Sequence, residues 1–213
     1  MFKKEDYTSQ YGSKEFWNEI YTKELEIFTD SDVTPKKDGV QKYIINWLLH
    51  QYKNNRDIHI IDLGCGAGAF LFDLAINGFG TLIGIDYSRN AVALTNSVIQ
   101  KKSYDMYCIE LDLTNVMECK RLGIFDIVHD KGTFDDISQR TENTKEMQRM
   151  YLKTVRNLMS KESIFIITSF CWTEDELVQL LSKQFVKDCK IPITGKFSKD
   201  INKLVTILVF RVK

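Results

Sequence analysis

The sequence predicts an α/β fold, a doubly wound and mostly parallel sheet with helices on both faces. Three observations carry that expectation. Short apolar, β-branched runs alternate with amphipathic stretches through most of the chain. Three of the first four runs end in or just before an aspartate, at Asp62, Asp86 and Asp130. The first is followed by glycine at every second position, in Asp62-Leu63-Gly64-Cys65-Gly66-Ala67-Gly68.

Taken in order, residues 1–12 are polar and predict a poorly ordered start. A helix is expected from Ser13, with Phe16, Trp17, Ile20, Tyr21, Leu25 and Phe28 on one face. Residues 29–39 are polar, hold one of only two prolines and read as a loop long enough to serve as a lid. Val40–Tyr52 repeats apolar residues at helical spacing. Residues 13–52 are therefore a helical appendage ahead of a core at 57–213, within one domain spanning 1–213.

The first strand is expected at Ile58–Leu63, and its helix stops near Asn77-Gly78. The second strand, Thr81–Asp86, precedes a helix over Arg89–Lys101 that Ser88 caps. The third, Met106–Leu113, carries Asp112 near its end. The fourth, Phe125–Asp130, runs into Lys131-Gly132-Thr133-Phe134-Asp135-Asp136, which reads as a loop. A long amphipathic helix over Thr141–Met159 and a strand at Ser163–Ser169 follow. Thr173 and Glu176 form a capping pattern for the next helix. Phe185–Ile191 and Leu204–Val212 complete seven strands as a terminal hairpin, with an antiparallel strand at the sheet edge.

The glycine loop predicts a nucleotide-like ligand. Without a Cβ the backbone adopts positive φ and lets a ligand lie against the main chain. The following helix offers free N–H groups and the positive end of its dipole. Two cofactor classes use such a loop. Gly64, Gly66 and Ala69 satisfy the G-x-G-x-x-A pattern of NAD-dependent oxidoreductases. Asp62 with Gly64, Gly66 and Gly68 fits the acidic strand end of S-adenosylmethionine enzymes better. A pyrophosphate disfavours a carboxylate at 62, whereas an ammonium and a sulfonium favour it.

Asp86 lies twenty residues past Gly66 (86 − 66), where this topology places the acid for ribose hydroxyls. Tyr87 is placed to lie on a purine ring, and Asp112 to accept from an adenine amino group between Leu111 and Leu113. The third acid tilts the choice toward S-adenosylmethionine. His129 reads as a buried strand residue, and Lys131 as the partner of a nearby acid.

Composition excludes other classes. Basic and acidic residues balance at 29 each, so no overall field favours nucleic acid. The five cysteines form no C-x-x-C and no cluster with histidine, so they read as reduced core thiols and no metal site is expected. No apolar run approaches a membrane span. A cytoplasmic location, with the nucleus second, and a monomer are the expectations.

Together these residues resemble the seven-stranded class I methyltransferases. Asp130-Lys131-Gly132-Thr133-Phe134-Asp135 with Ile137-Ser138, then Ile167-Thr168-Ser169 with Trp172-Thr173 and Glu176-Leu177, resemble the lysine methyltransferases of elongation factor 1-alpha. Phe16-Trp17 with Tyr21 matches their N-terminal signature. The chain departs in two places: residues 29–39 lack a Trp-Phe-Gly-like element, and Asp136 stands where a small residue is usual.

The resemblance implies methyl transfer from S-adenosylmethionine to a lysine of elongation factor 1-alpha, leaving S-adenosylhomocysteine. The expected cofactor set is Trp17, Asp62, Gly64, Cys65, Gly66, Gly68, Asp86, Tyr87, Asp112, Leu113 and Asp130. The expected catalytic set is Asp130, orienting the amine, with Phe134 and Trp172 as walls. A methyltransferase for another protein or a small molecule, an NAD-dependent oxidoreductase and a non-catalytic binding protein are the competing readings.

Overall fold

A computed structural model describes residues 12–31, 39–139, 143–194 and 205–213. The expected disorder of the first residues, most of the lid and most of the last hairpin loop lie outside the described residues. The element order is α1 (Lys14–Ser31), α2 (Gln41–Gln51), β1 (Ile60–Leu63), α3 (Ala69–Ile76), β2 (Leu82–Asp86), α4 (Arg89–Lys102) and β3 (Met106–Glu110). It continues with α5 (Val116–Cys119), β4 (Phe125–Lys131), α6 (Thr133–Gln139), α7 (Thr144–Asn157), β5 (Met159–Ser169), α8 (Glu174–Leu181), β6 (Phe185–Lys190) and β7 (Thr206–Val212).

The sheet has the order β3-β2-β1-β4-β5-β7-β6. Strands β1 to β5 run parallel, and β7 inserts antiparallel between β5 and β6. The carboxyl ends of the parallel strands therefore share one rim, and the order reverses beside β1. Alternation along each strand divides the core. Ile60, Ile127, Ile164 and Ile166 pack with α2 and α3 on one face. Ile61, Val128, Phe165 and Ile167 pack with α6, α7 and α8 on the other.

Local chemistry explains the helix starts. The Ser13 hydroxyl accepts from Phe16 N–H at 3.1 Å, and the Ser88 hydroxyl from Ala91 N–H at 3.3 Å. Thr173 and Glu176 form a full capping box. Two differences from expectation shape the site. Thr133 to Asp136, read as the end of a loop, instead open α6 (Thr133–Gln139). Strand β3 stops at Glu110, because Asp112 turns the chain by accepting from Thr114 N–H and hydroxyl at 2.8 and 2.7 Å.

Candidate active site

A cavity of about 530 Å³ opens at the carboxyl rim of β1–β4, within the roughly 300–1,000 Å³ range of small-molecule sites. Its floor is the glycine loop and the strand-end acids Asp62, Asp86 and Asp112; its roof is α1 and the start of α6.

The loop owes its shape to missing side chains. Gly64 has φ +72° and Gly66 φ +53°, in the region that L-residues avoid. A Cβ on Gly64 would collide with the Thr133 hydroxyl, and one on Gly66 with the Tyr21 hydroxyl. Both roof elements thus rest directly on backbone. Thr133 fixes its end by donating to Leu63 carbonyl at 2.8 Å.

Asp86 ties this loop to β2. One carboxylate oxygen accepts from Gly66 N–H at 2.9 Å and the other from Ser88 N–H at 2.8 Å. Burial pushes its pKa up to about 6, against the pull of those two N–H bonds; the nearby Asp62 charge adds to the rise. Each oxygen keeps a second lone pair, so two ligand hydroxyls fit the same carboxylate. Both Thr114 bonds to Asp112 fall on one oxygen.

Helix α1 is pinned across the rim by polar bonds. Asn18 accepts from the Ser88 hydroxyl at 2.6 Å, and the Asn90 amide donates to Thr22 at 2.7 Å. The Tyr87 hydroxyl donates to Ser13 carbonyl at 3.1 Å. Trp17 and Tyr21 stack with centroids 5.9 Å apart, and both face the cavity together with Glu24 and Ile27. These four recur every three or four residues, so they lie on one face of the helix. Burial, with Asp86, Glu24 and Asp136 close by, holds the Tyr21 phenol well above its usual pKa.

Nine of the expected cofactor residues line this cavity: Trp17, Asp62, Gly64, Cys65, Gly66, Asp86, Tyr87, Asp112 and Leu113. Gly68 does not line it; it precedes α3 in the left-handed conformation with φ +78°. Asp130 lies apart from these nine. It is fully buried and accepts from Thr133 N–H at 3.2 Å, Phe134 N–H at 3.0 Å and the Tyr151 hydroxyl. It caps α6 and lies outside the cavity wall. Burial pushes its pKa up to about 8, the Tyr151 bond pulls it down, and Asp135 adds to the rise.

Strand alternation is the reason. His129, one residue earlier, pairs in register with Asp62 and faces the cavity, so Asp130 faces α6 and α7. Phe134 and Trp172 also pack on that opposite side of the sheet. Phe134 is 1 % exposed and packs on Tyr151 and Trp172 in the core of that opposite face. Asp135 is also structural: it accepts from the Ser169 hydroxyl at 2.6 Å and Phe170 N–H at 2.7 Å.

The groups from this region that do reach the cavity are His129, Lys131, Thr133, Asp136 and Ile137. None of these, nor Tyr21, Glu24 or Gln41, is in the expected site set, where His129 reads only as a buried strand residue and Lys131 as the partner of an acid. Among the described residues no group of His, Cys, Asp and Glu suits a metal ion, and no helix is long and apolar enough to cross a membrane.

A model of the methyltransferase domain family matches residues 54–208. The chain is 34% identical over 215 residues to EEF1A lysine methyltransferase 2 of Danio rerio, covering 98% of this chain and 91% of that protein. It is 34% identical to the Homo sapiens protein of the same name, over 89% of this chain and 80% of that one. It is 31% identical to protein-lysine N-methyltransferase EFM4 of Saccharomyces cerevisiae, over 84% of each. Among solved structures, the N-methyltransferase NodS of Bradyrhizobium japonicum with S-adenosylhomocysteine aligns with TM-score 0.65 at 14% identity, over 92% of this chain and 98% of that one. Magnesium protoporphyrin IX methyltransferase of Synechocystis with bound S-adenosylmethionine aligns with TM-score 0.60 at 17% identity, over 91% and 96%. Cavity, fold and similarity agree: the chain belongs to the class I S-adenosylmethionine-dependent methyltransferases, in the family of the EEF1A lysine methyltransferases.

Proposed function

We propose that this chain transfers a methyl group to a lysine side chain of translation elongation factor 1-alpha, as a cytosolic monomer. The observation that carries the substrate is its similarity, over nearly the whole chain, to relatives named for that activity. The site's chemistry supports it. Five carboxylates line the cavity, Glu24, Asp62, Asp86, Asp112 and Asp136, which suits a cationic cofactor and a cationic side chain.

The cofactor fits the floor. The glycine loop at Gly64 and Gly66 lines the floor, Asp86 accepts from ribose hydroxyls, and Asp112 accepts from an adenine amino group between Leu111 and Leu113. When bound, the cofactor supplies an electrophilic methyl on a sulfonium. The protein's task is positioning, because the reaction is an in-line displacement by an amine.

The roof receives the lysine. Glu24 and Asp136 line the cavity with Tyr21 and draw the ammonium inward. Trp17, Tyr21, Ile27 and Ile137 then surround the aliphatic stem. Desolvation among these side chains favours the neutral amine, which alone has the lone pair for attack. Asp136 accepts a hydrogen bond from the amine and orients it, the role that buried Asp130 cannot reach.

The test is incubation of the purified protein with methyl-labelled S-adenosylmethionine and purified elongation factor 1-alpha, followed by peptide mass spectrometry. Label on a lysine is expected. Cofactor consumption with no label on that protein, but label on another, would overturn the substrate.

A further inference from the structure

The imidazole of His129 is 1 % exposed in the cavity floor. Its Nδ1 lies 2.6 Å from Asp62 Oδ1, and its ring stacks on Phe70 with centroids 3.8 Å apart. An ionised carboxylate only accepts, so Nδ1–H donates to Asp62. Nε2 is buried and has no protein partner among the described residues. Packing alone does not call for this residue. Ile127, two positions earlier on the same sheet face, fills its place with an apolar side chain. A buried imidazole with an unsatisfied nitrogen carries a desolvation cost that an apolar residue avoids.

What the imidazole adds is orientation. It holds the Asp62 carboxylate from the β4 side, and Phe70 fixes the ring that holds it. The strand order β3-β2-β1-β4 then places this pair along the cavity. Asp112 follows β3 and Asp86 ends β2, the positions assigned above to adenine and ribose. The remaining length of the ligand crosses β1 and β4, over Asp62 and His129.

We propose that His129 is a positioning residue for the cofactor's α-amino-acid end: it locks Asp62 so that the carboxylate accepts from the α-ammonium. This rests on the cofactor placement given under the proposed function. The zwitterionic end is thereby recognised by a preset carboxylate rather than by one free to rotate.

The experiment compares S-adenosylhomocysteine with 5′-methylthioadenosine, which lacks the amino-acid end, by calorimetric titration. His129→Phe keeps a ring against Phe70 and removes the Nδ1 donor. It should weaken S-adenosylhomocysteine by about tenfold or more and leave methylthioadenosine within roughly twofold. His129→Asn returns a donor at the Nδ1 position and should recover most of the loss. Equal weakening of both ligands, or unchanged binding of both, would overturn the proposal.

A second measurement needs no variant. In the ¹⁵N spectrum of the wild-type histidines, the His129 resonances should shift with S-adenosylhomocysteine and not with methylthioadenosine; identical responses to both would overturn the role. The wild-type titration separates the two levels. If it binds methylthioadenosine as tightly as S-adenosylhomocysteine, the placement of the ligand fails, whereas a wild type that prefers S-adenosylhomocysteine with variants that do not split the ligands removes His129 alone.

Discussion

Replacing Asp130 tests the largest departure from the sequence reading. In Asp130→Ala the Thr133 and Phe134 N–H groups lose their acceptor, and the Tyr151 hydroxyl is left buried without one. A lost N-cap costs about 1 kcal/mol, and an orphaned buried hydroxyl adds about 1–3 kcal/mol. The sum is about 2–4 kcal/mol. For a chain of this length each kcal/mol lowers Tm by about 2–4 °C, so a fall of about 4–16 °C is expected. Tyr151→Phe removes the hydroxyl and keeps both N–H donors, so its cost is smaller, about 1–2 kcal/mol. The two changes remove a shared bond, and the double variant should be less destabilised than the sum. Thermal melts give the stabilities, and titration with S-adenosylhomocysteine well below Tm should stay within roughly twofold of wild type, because Asp130 does not line the cavity. An Asp130→Ala protein with wild-type Tm but no turnover at saturating cofactor would refute this reasoning and return the carboxylate to the substrate.

Three further outcomes are expected. The pKa values of Asp86, Asp130 and Asp135 are raised in the folded state to about 6, 8 and 6. Their contribution is fully present below the unfolded value of about 4 and is lost as pH rises through the folded values, so Tm of the ligand-free protein should fall between pH 5 and pH 8.5. Asp130→Asn should flatten the upper part of that fall; an unchanged profile would contradict the raised Asp130. Gly66→Ala forces an L-residue to φ +53°, costing about 1–2 kcal/mol, and drives its methyl into the Tyr21 hydroxyl. Calorimetry should find cofactor affinity reduced at least about tenfold, and wild-type affinity would show that the ligand does not lie on this loop. Asp136→Asn should raise KM for the protein substrate while the S-adenosylhomocysteine Kd stays unchanged; a matching loss in both would place Asp136 with the cofactor.

The floor was legible because its signals are local. An apolar run that meets an acid marks Asp62, Asp86 and Asp112, and spaced glycines after the first mark its loop. The exchange of Asp130 for His129 was not legible. Both precede the same turn, and only the register of β4 against β1 decides which one faces the cavity. A one-residue difference turns a side chain to the opposite face. Helix α6 escaped for another reason: Gly132-Thr133-Phe134-Asp135-Asp136 has turn composition and too few residues to show a period. The stripe Trp17, Tyr21, Glu24 and Ile27 was visible as a helix face, but nothing in its spacing names the surface it covers.

That division between floor and roof bears on how selectivity is built. The floor is made of strand ends, which the sheet holds in place regardless of ligand. The roof is made of a long appended helix and a seven-residue one, each held at its own start by a side-chain cap, Ser13 for α1 and Asp130 for α6. The two layers touch at Gly64 and Gly66, where Thr133 and Tyr21 occupy the space that side chains would otherwise take. A ligand lying on that loop therefore also lies close to Thr133 and Tyr21 of the roof. Changes in the roof can then alter which amine is accepted without rebuilding the floor, consistent with target choice residing in Tyr21, Glu24 and Asp136 rather than in the glycine loop.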